Sequence, residues 1–167
     1  MSGLDFEAYL KDSTKKATCE LRKVVSKEHK KDPKNLGIYP YEATFTALVF
    51  HHLLNGDLNM ENMTVESSYG DGTKRRMDLS YFDSEKEEKY CVEVKTILTL
   101  TKQGRLYDIR DGLAGIREDI SKLKSLKEGQ NLIIIVAYLG LEKVDNKMSR
   151  ECENQIGKHD GVTIMFF

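Results

Sequence analysis

The chain is short of most features that would assign it quickly. Its three cysteines, Cys19, Cys91 and Cys152, are odd in number, far apart and form no CxxC pair. That excludes a disulfide framework and a zinc site and fits a reducing compartment. Long apolar runs are missing too: LIIIVAYLGL, Leu132 to Leu141, is about half of a membrane span, and the opening MSGLDFEAYLKDS lacks the basic-then-apolar build of a signal peptide. A cytoplasmic location with no membrane partner is expected, and the sequon at Asn62 is then an accident of composition. Net charge is only −1, so nothing attracts polyanions globally and nucleic-acid binding must rest on local clusters of Lys and Arg. There is no GxxxxGK[ST] or GxGxxG stretch, no internal repeat and no low-complexity tract, which removes nucleotide hydrolysis and dinucleotide binding.

What is present is one domain's worth of chain: 167 residues, 40% hydrophobic and 32% charged. Apolar residues at Phe6, Leu10, Ala17, Leu21 and Val24 recur at a loose helical spacing and predict one or two surface helices between Leu4 and Glu28. The segment KEHKKDPKN, Lys27 to Asn35, reads as a charged loop. YPYEATFTALVFHHLLNG predicts a helix with Pro40 in its first turn and Asn55–Gly56 as its stop; lacking charge from Ala43 to Leu54, it is expected to be buried on most faces. Three strands follow, Met63 to Tyr69, Arg75 to Phe82 and Lys89 to Ile97, separated by the turns GDG and DSEKEE, an antiparallel meander. Leu106, Ile109, Leu113, Ile116, Ile120 and Leu123 trace an amphipathic helix, weakened early by Gly112 and Gly115. NLIIIVAYL is a strand buried on both faces and GVTIMFF a last strand. The expected organisation is a mixed α/β domain with a helical N-terminal segment and loop over 1–35, a core over 39–139 and an extension over 140–167.

Three ionisable residues sit inside the meander. Alternation places Met77, Leu79 and Tyr81 on one face of their strand and Arg76, Asp78 and Ser80 on the other; in the next strand Val92 and Val94 lie opposite Cys91, Glu93 and Lys95. If the turn Asp83 to Glu88 is symmetric, Asp78 faces Glu93 with Cβ atoms ~5 Å apart. Like charges so placed repel unless one is protonated or a cation lies between them. A carboxylate pair with a carbonyl and waters is what Mg²⁺ takes, and a lysine two residues along can orient water or stabilise developing negative charge. A register shifted by two residues instead pairs Asp78 with Lys95 as a salt bridge on a half-exposed sheet face.

RRMDLS followed by CVEVKT resembles the motif of the PD-(D/E)xK nuclease superfamily, with Met77 where the family often has proline and Val92 to Lys95 as its apolar-Glu-apolar-Lys half. The resemblance covers about two-thirds of the chain, from Tyr39 to Leu139. It implies a restriction-endonuclease-like core of helix, three strands, helix and strand. It further implies phosphodiester hydrolysis with Mg²⁺ or Mn²⁺, most naturally in DNA, with Asp78, Glu93 and the Val94 carbonyl as metal ligands and Lys95 positioning water. Many members add a glutamate from the first core helix, and Glu42 is the matching candidate; a helix N-terminal Glu is also favoured by the macrodipole.

Lys74, Arg75 and Arg76 form a basic cluster beside this site, and Lys102 and Arg105 follow the third strand; all five are candidates for backbone phosphates. Cutting both strands of a duplex with one site per chain would favour a homodimer. His51 and His52, in an apolar helix, suggest a satisfied core histidine before a general base, and Cys91 a small buried residue rather than a nucleophile. Two alternatives stand beside the nuclease: an inactive nuclease-fold module acting in nucleic-acid or protein binding, and an unrelated α/β protein whose hairpin charges are surface pairs.

Overall fold

A computed structural model describes residues 5–31, 41–56, 60–68, 76–98, 109–126, 129–139, 154 and 161–167. The elements, in chain order, are helix α1 (Phe6–Lys31), helix α2 (Tyr41–Leu54), a 3₁₀ turn (Met60–Asn62), strands β1 (Met63–Ser68), β2 (Arg76–Asp83) and β3 (Glu88–Leu98), helix α3 (Ile109–Lys124), and strands β4 (Gln130–Leu139) and β5 (Val162–Phe166). They build a five-stranded mixed sheet in the order β1-β2-β3-β4-β5. The first three strands form the expected antiparallel meander, and β4 and β5 join in parallel. The chain is α/β, with the order of elements anticipated above. Among the described residues no helix is long and apolar enough to cross a membrane. The GDG turn and the expected start of α3 at Leu106 lie outside the described residues; α3 begins at Ile109 and continues through Gly115.

The sheet is covered on both faces. On one, α1 and α2 pack on Leu79, Tyr81, Val92, Val94, Ile133, Ile135, Ala137 and Leu139. On the other, Leu113, Ile116, Ile120 and Leu123 of α3 pack on Cys91, Ile97, Ile134, Val136 and Tyr138. Alternate residues of β4 thus go to opposite cores, as a strand buried on both sides requires. The half-exposed sheet face that the shifted register supposed is not found: the Cys91–Glu93–Lys95 face is roofed by α3. Met77 also departs from simple alternation, packing in the α3 core rather than with Leu79 and Tyr81.

The N-terminal segment is one helix of 26 residues, not one or two surface helices. Asp5 caps it, its Oδ1 accepting the Glu7 N–H at 3.2 Å. Phe6, Leu10, Ala17, Leu21 and Val25 are fully buried, Val25 taking the place expected for Val24. The stripe looked loose in sequence because Ser13, Thr14 and Thr18 occupy core positions on it. The two threonines turn their hydroxyls back on the helix, Thr14 Oγ1 donating to Leu10 O at 2.6 Å and Thr18 Oγ1 to Thr14 O at 2.8 Å, which satisfies them locally. Arg22 Nε donates to Tyr138 O at 3.0 Å and ties the helix to β4.

Helix α2 buries a single stripe, Tyr41, Phe45, Val49 and Leu53, not most of its faces; Ala43, Ala47, His51 and Leu54 are exposed. Small uncharged residues left that face unmarked in sequence. Neither histidine is in the core: His51 is exposed, and half-buried His52 lies with Nε2 3.0 Å from Glu20 Oε1 of α1. The helix stops where Asn55 and Gly56 were expected to stop it, and a Cβ at Gly56 would come within 2.8 Å of the Tyr9 ring.

Because α1 is part of the core, Phe6→Ala should cost about 3–5 kcal/mol in urea denaturation. Its ring stacks on Tyr81 at 4.5 Å between centroids, 12° from parallel. A loss below about 1 kcal/mol would return α1 to the status of a surface cap.

Candidate active site

The β2–β3 hairpin fixes the site. Asp83 Oδ1 accepts the N–H groups of Glu85 and Lys86 at 3.1 and 3.2 Å, closing the turn, and Glu87 takes a left-handed φ of 56°. The register that follows is the symmetric one, Asp83↔Glu88, Tyr81↔Tyr90 and Leu79↔Val92. The shifted register pairing Asp78 with Lys95 is therefore excluded. The ladder ends at Leu79↔Val92, however, so Asp78 and Glu93 do not face each other as a regular pair. Instead Asp78 Oδ2 accepts the Val94 N–H at 2.7 Å, its carboxylate standing in for a ladder carbonyl.

Four of the expected residues gather there. Glu93 is only 5% exposed, and its Oε1 has no hydrogen-bond partner. Lys95 reaches from the same face of β3, its Nζ donating to Glu42 Oε1 of α2 at 3.1 Å. That ammonium also lies 3.2 Å from Oδ2 of Asp119, a residue of α3 that is 1% exposed; the contact is an ion pair by distance, outside hydrogen-bond alignment. Asp119 Oδ1 in turn accepts from Lys122 Nζ at 2.7 Å.

Asp119 was missed in the sequence although a signal was there. It follows Ile116 by three residues and precedes Leu123 by four, squarely on the apolar stripe of α3. A carboxylate at such a position needs cations at hand, and Lys122, three residues on, and Lys95 of β3 supply them.

The electrostatics follow from burial. Desolvation pushes the Glu93 carboxyl up to about 8, with the Asp119 charge adding to it and Lys95 and Lys122 opposing. Asp78 is also raised, by burial first, against the Val94 hydrogen bond. For Lys95 burial pulls downward, but the carboxylates of Glu42 and Asp119 outweigh it and hold the amine above the usual lysine range. Lys122 is raised in the same way, chiefly by Asp119.

Among the described residues no three His, Cys, Asp or Glu side chains are grouped to hold a metal ion. A hard ion such as Mg²⁺ takes one or two protein carboxylates and keeps its waters. Asp78 and Glu93 are the two carboxylates that could be offered to one, Glu93 Oε1 having no hydrogen-bond partner.

Of the basic candidates, Arg76 is exposed, with Nη1 3.7 Å from Glu66 Oε2. Lys74, Arg75, Lys102 and Arg105 lie outside the described residues. Cys91 is buried, its Sγ donating to Gln130 Oε1 at 2.8 Å, and burial raises its pKa, as a structural thiol rather than a nucleophile.

No family model and no curated protein matches the chain. Among solved structures, the Pyrococcus furiosus SfsA in complex with Ca²⁺ is similar at a TM-score of 0.36 and 16% identity, over 74% of this chain and 56% of that one. The chain thus spans a little over half the length of that protein. At this level the likeness bears on neither the site nor its chemistry.

The Glu93 shift gives stability a pH dependence. With the folded group near 8 and the unfolded one near 4.5, the folded state holds the extra proton between those values, so without divalent cations stability falls as pH rises through that window. The slope is at most about 1.4 kcal/mol per pH unit. Raised Asp78 acts in the same direction, whereas Lys95 and Lys122 titrate far above. Urea midpoints at pH 5.5 and 7.5 should drop for the wild type and change less for Glu93→Gln; equal drops would assign the slope elsewhere.

Proposed function

We propose that the chain is a divalent-metal-dependent nuclease that hydrolyses phosphodiester bonds, with DNA as its substrate. The observation that carries this reading is Glu93: a buried carboxyl with an unpartnered oxygen, one residue past the end of a ladder, adjacent in sequence to Val94, whose N–H holds Asp78, and on the same strand face as the half-buried Lys95. Asp78 and Glu93, with the Val94 carbonyl, would hold Mg²⁺ or Mn²⁺. Such an ion lowers the pKa of a coordinated water and offsets charge building on phosphoryl oxygens.

The chain's own groups would do the rest. The Val94 N–H fixes the Asp78 carboxylate, leaving Oδ1 for ligation. The Lys95 ammonium, kept charged by its two carboxylates, would orient the attacking water or donate to the oxygen that gains charge. Glu42, on the more exposed side of Lys95, would assist through that lysine or a bound water. Arg76, with Lys74, Arg75, Lys102 and Arg105, would take flanking phosphates and make binding salt-dependent and largely indifferent to sequence. Two chains would be needed to cut both strands of a duplex at once.

A second reading, a binding module on the same fold, is favoured by one feature: the Lys95 ammonium is already engaged by two carboxylates. Mg²⁺ or Mn²⁺ raises the melting temperature if an acidic site takes it and leaves a module without such a site unmoved.

Labelled single-stranded, double-stranded and branched DNA, incubated with wild type and Mg²⁺, Mn²⁺ or EDTA, should be cut only with metal. Lys95→Ala and Glu93→Ala should each lower the rate by about 10²-fold or more while the fold persists. Cleavage retained by Lys95→Ala would overturn the assignment, and no cleavage with no metal-induced stabilisation would favour the module.

A further inference from the structure

We propose that Asp119 is a positioning residue: from the buried face of α3 it fixes the Lys95 ammonium in the site, and it acts on the reaction only through that lysine. This rests on the nuclease reading above and adds to it a residue outside the motif.

Two independent observations meet on α3. Asp119 is 1% exposed, with Oδ2 3.2 Å from Lys95 Nζ and Oδ1 2.7 Å from Lys122 Nζ, so its carboxylate is spanned by two ammonium groups. One turn earlier, the Lys95 stem runs beside Gly115: a Cβ there would lie 3.8 Å from Lys95 Cε and 4.0 Å from Cδ, ordinary packing distances. Residues four apart share a helix face, so α3 packs along the Lys95 stem at 115 and meets its head with a carboxylate at 119.

Stability does not call for this arrangement. An aliphatic residue at 119 would continue the stripe of Ile116, Ile120 and Leu123, whereas a buried ion pair is often no better than the apolar residues that could replace it. Nor can Glu42 hold the amine alone, since its side chain is 46% exposed against 1% for Asp119. Glu42 is free to yield to water or substrate, while Asp119 is packed in place. Lys122, 24% exposed, holds Asp119 from its other oxygen, so that losing Glu42's hydrogen bond would not release the lysine.

The test is a double-mutant cycle, Asp119→Asn with Lys95→Met, in the full chain. Asp119→Asn keeps the shape and one acceptor. It should lower kcat for metal-dependent DNA cleavage by about 10- to 100-fold, with KM for DNA and half-saturating Mg²⁺ within about threefold. On the Lys95→Met background the same change should alter residual cleavage less than twofold. Full activity in Asp119→Asn, or an equal loss on both backgrounds, overturns the proposal. A second readout stands apart from activity. The Lys95 ammonium protons, assigned by their absence in Lys95→Met, should give a slowly exchanging NMR signal in the wild type that is lost in Asp119→Asn. If the wild type cuts no DNA, the nuclease reading fails, and this signal decides the positioning of Lys95 by itself; its persistence in Asp119→Asn would refute it.

Discussion

Strands β2 and β3 stop pairing after Leu79 and Val92, and the chemistry of the molecule depends on how that interruption is filled. A β3 backbone N–H left without an acceptor inside a two-sided core would be costly. Asp78 supplies the acceptor, its Oδ2 2.7 Å from Val94 N. Pinning Asp78 there brings it to the end of the ladder, where Glu93 and Lys95 emerge from β3. Glu42 reaches Lys95 from α2, on the other side of the sheet from α3 and Asp119. Groups from both layers can meet only where the sheet has opened.

Among the described residues, the charges in that opening do not balance: four carboxyl groups, Glu42, Asp78, Glu93 and Asp119, stand against two amines, Lys95 and Lys122. Burial comes first in raising the Glu93 carboxyl to about 8, and the charges of Asp119 and Glu42 add to it against those of Lys95 and Lys122. The raised Glu93 is thus a consequence of burial first and of this carboxylate excess second. A divalent cation would relieve the same excess.

Much of this was legible in the chain. The symmetric turn gave the register of the hairpin, because Asp83 closes it with its own side chain and leaves no residue over. The expected order of helices and strands held because the unbroken β-branched run of β4 and the three-and-four spacing of α3 are strong signals. What misled was polar chemistry inside apolar stripes. Ser13, Thr14 and Thr18 made α1 look like a surface helix, and Asp119 on α3 went unnoticed. The roof that α3 places over Glu93 and Lys95 is a tertiary fact, carried by no local pattern, and the end of the β2–β3 ladder is likewise invisible in alternation alone. The basic residues on either side of the meander, apart from Arg76, fall outside the described residues.

The buried polar groups also sort into two kinds. Thr14 and Thr18 donate to carbonyls one turn back in their own helix; each is satisfied within α1 and asks nothing of the rest of the fold. Glu93 and Asp119 are not fully satisfied by their own elements: Lys122 of α3 meets only one oxygen of Asp119. Asp119 draws a lysine across from β3, and Glu93 keeps one oxygen with no partner. A residue whose polar burial is met locally can be replaced by an apolar neighbour with little loss of purpose, so its presence says little about function. A residue whose burial is met only by groups from other elements, or not met at all, is costly to keep. Among the described residues, Glu93 and Asp119 both face Lys95 beyond the end of the β2–β3 ladder, and that convergence, more than the motif, singles out the candidate site.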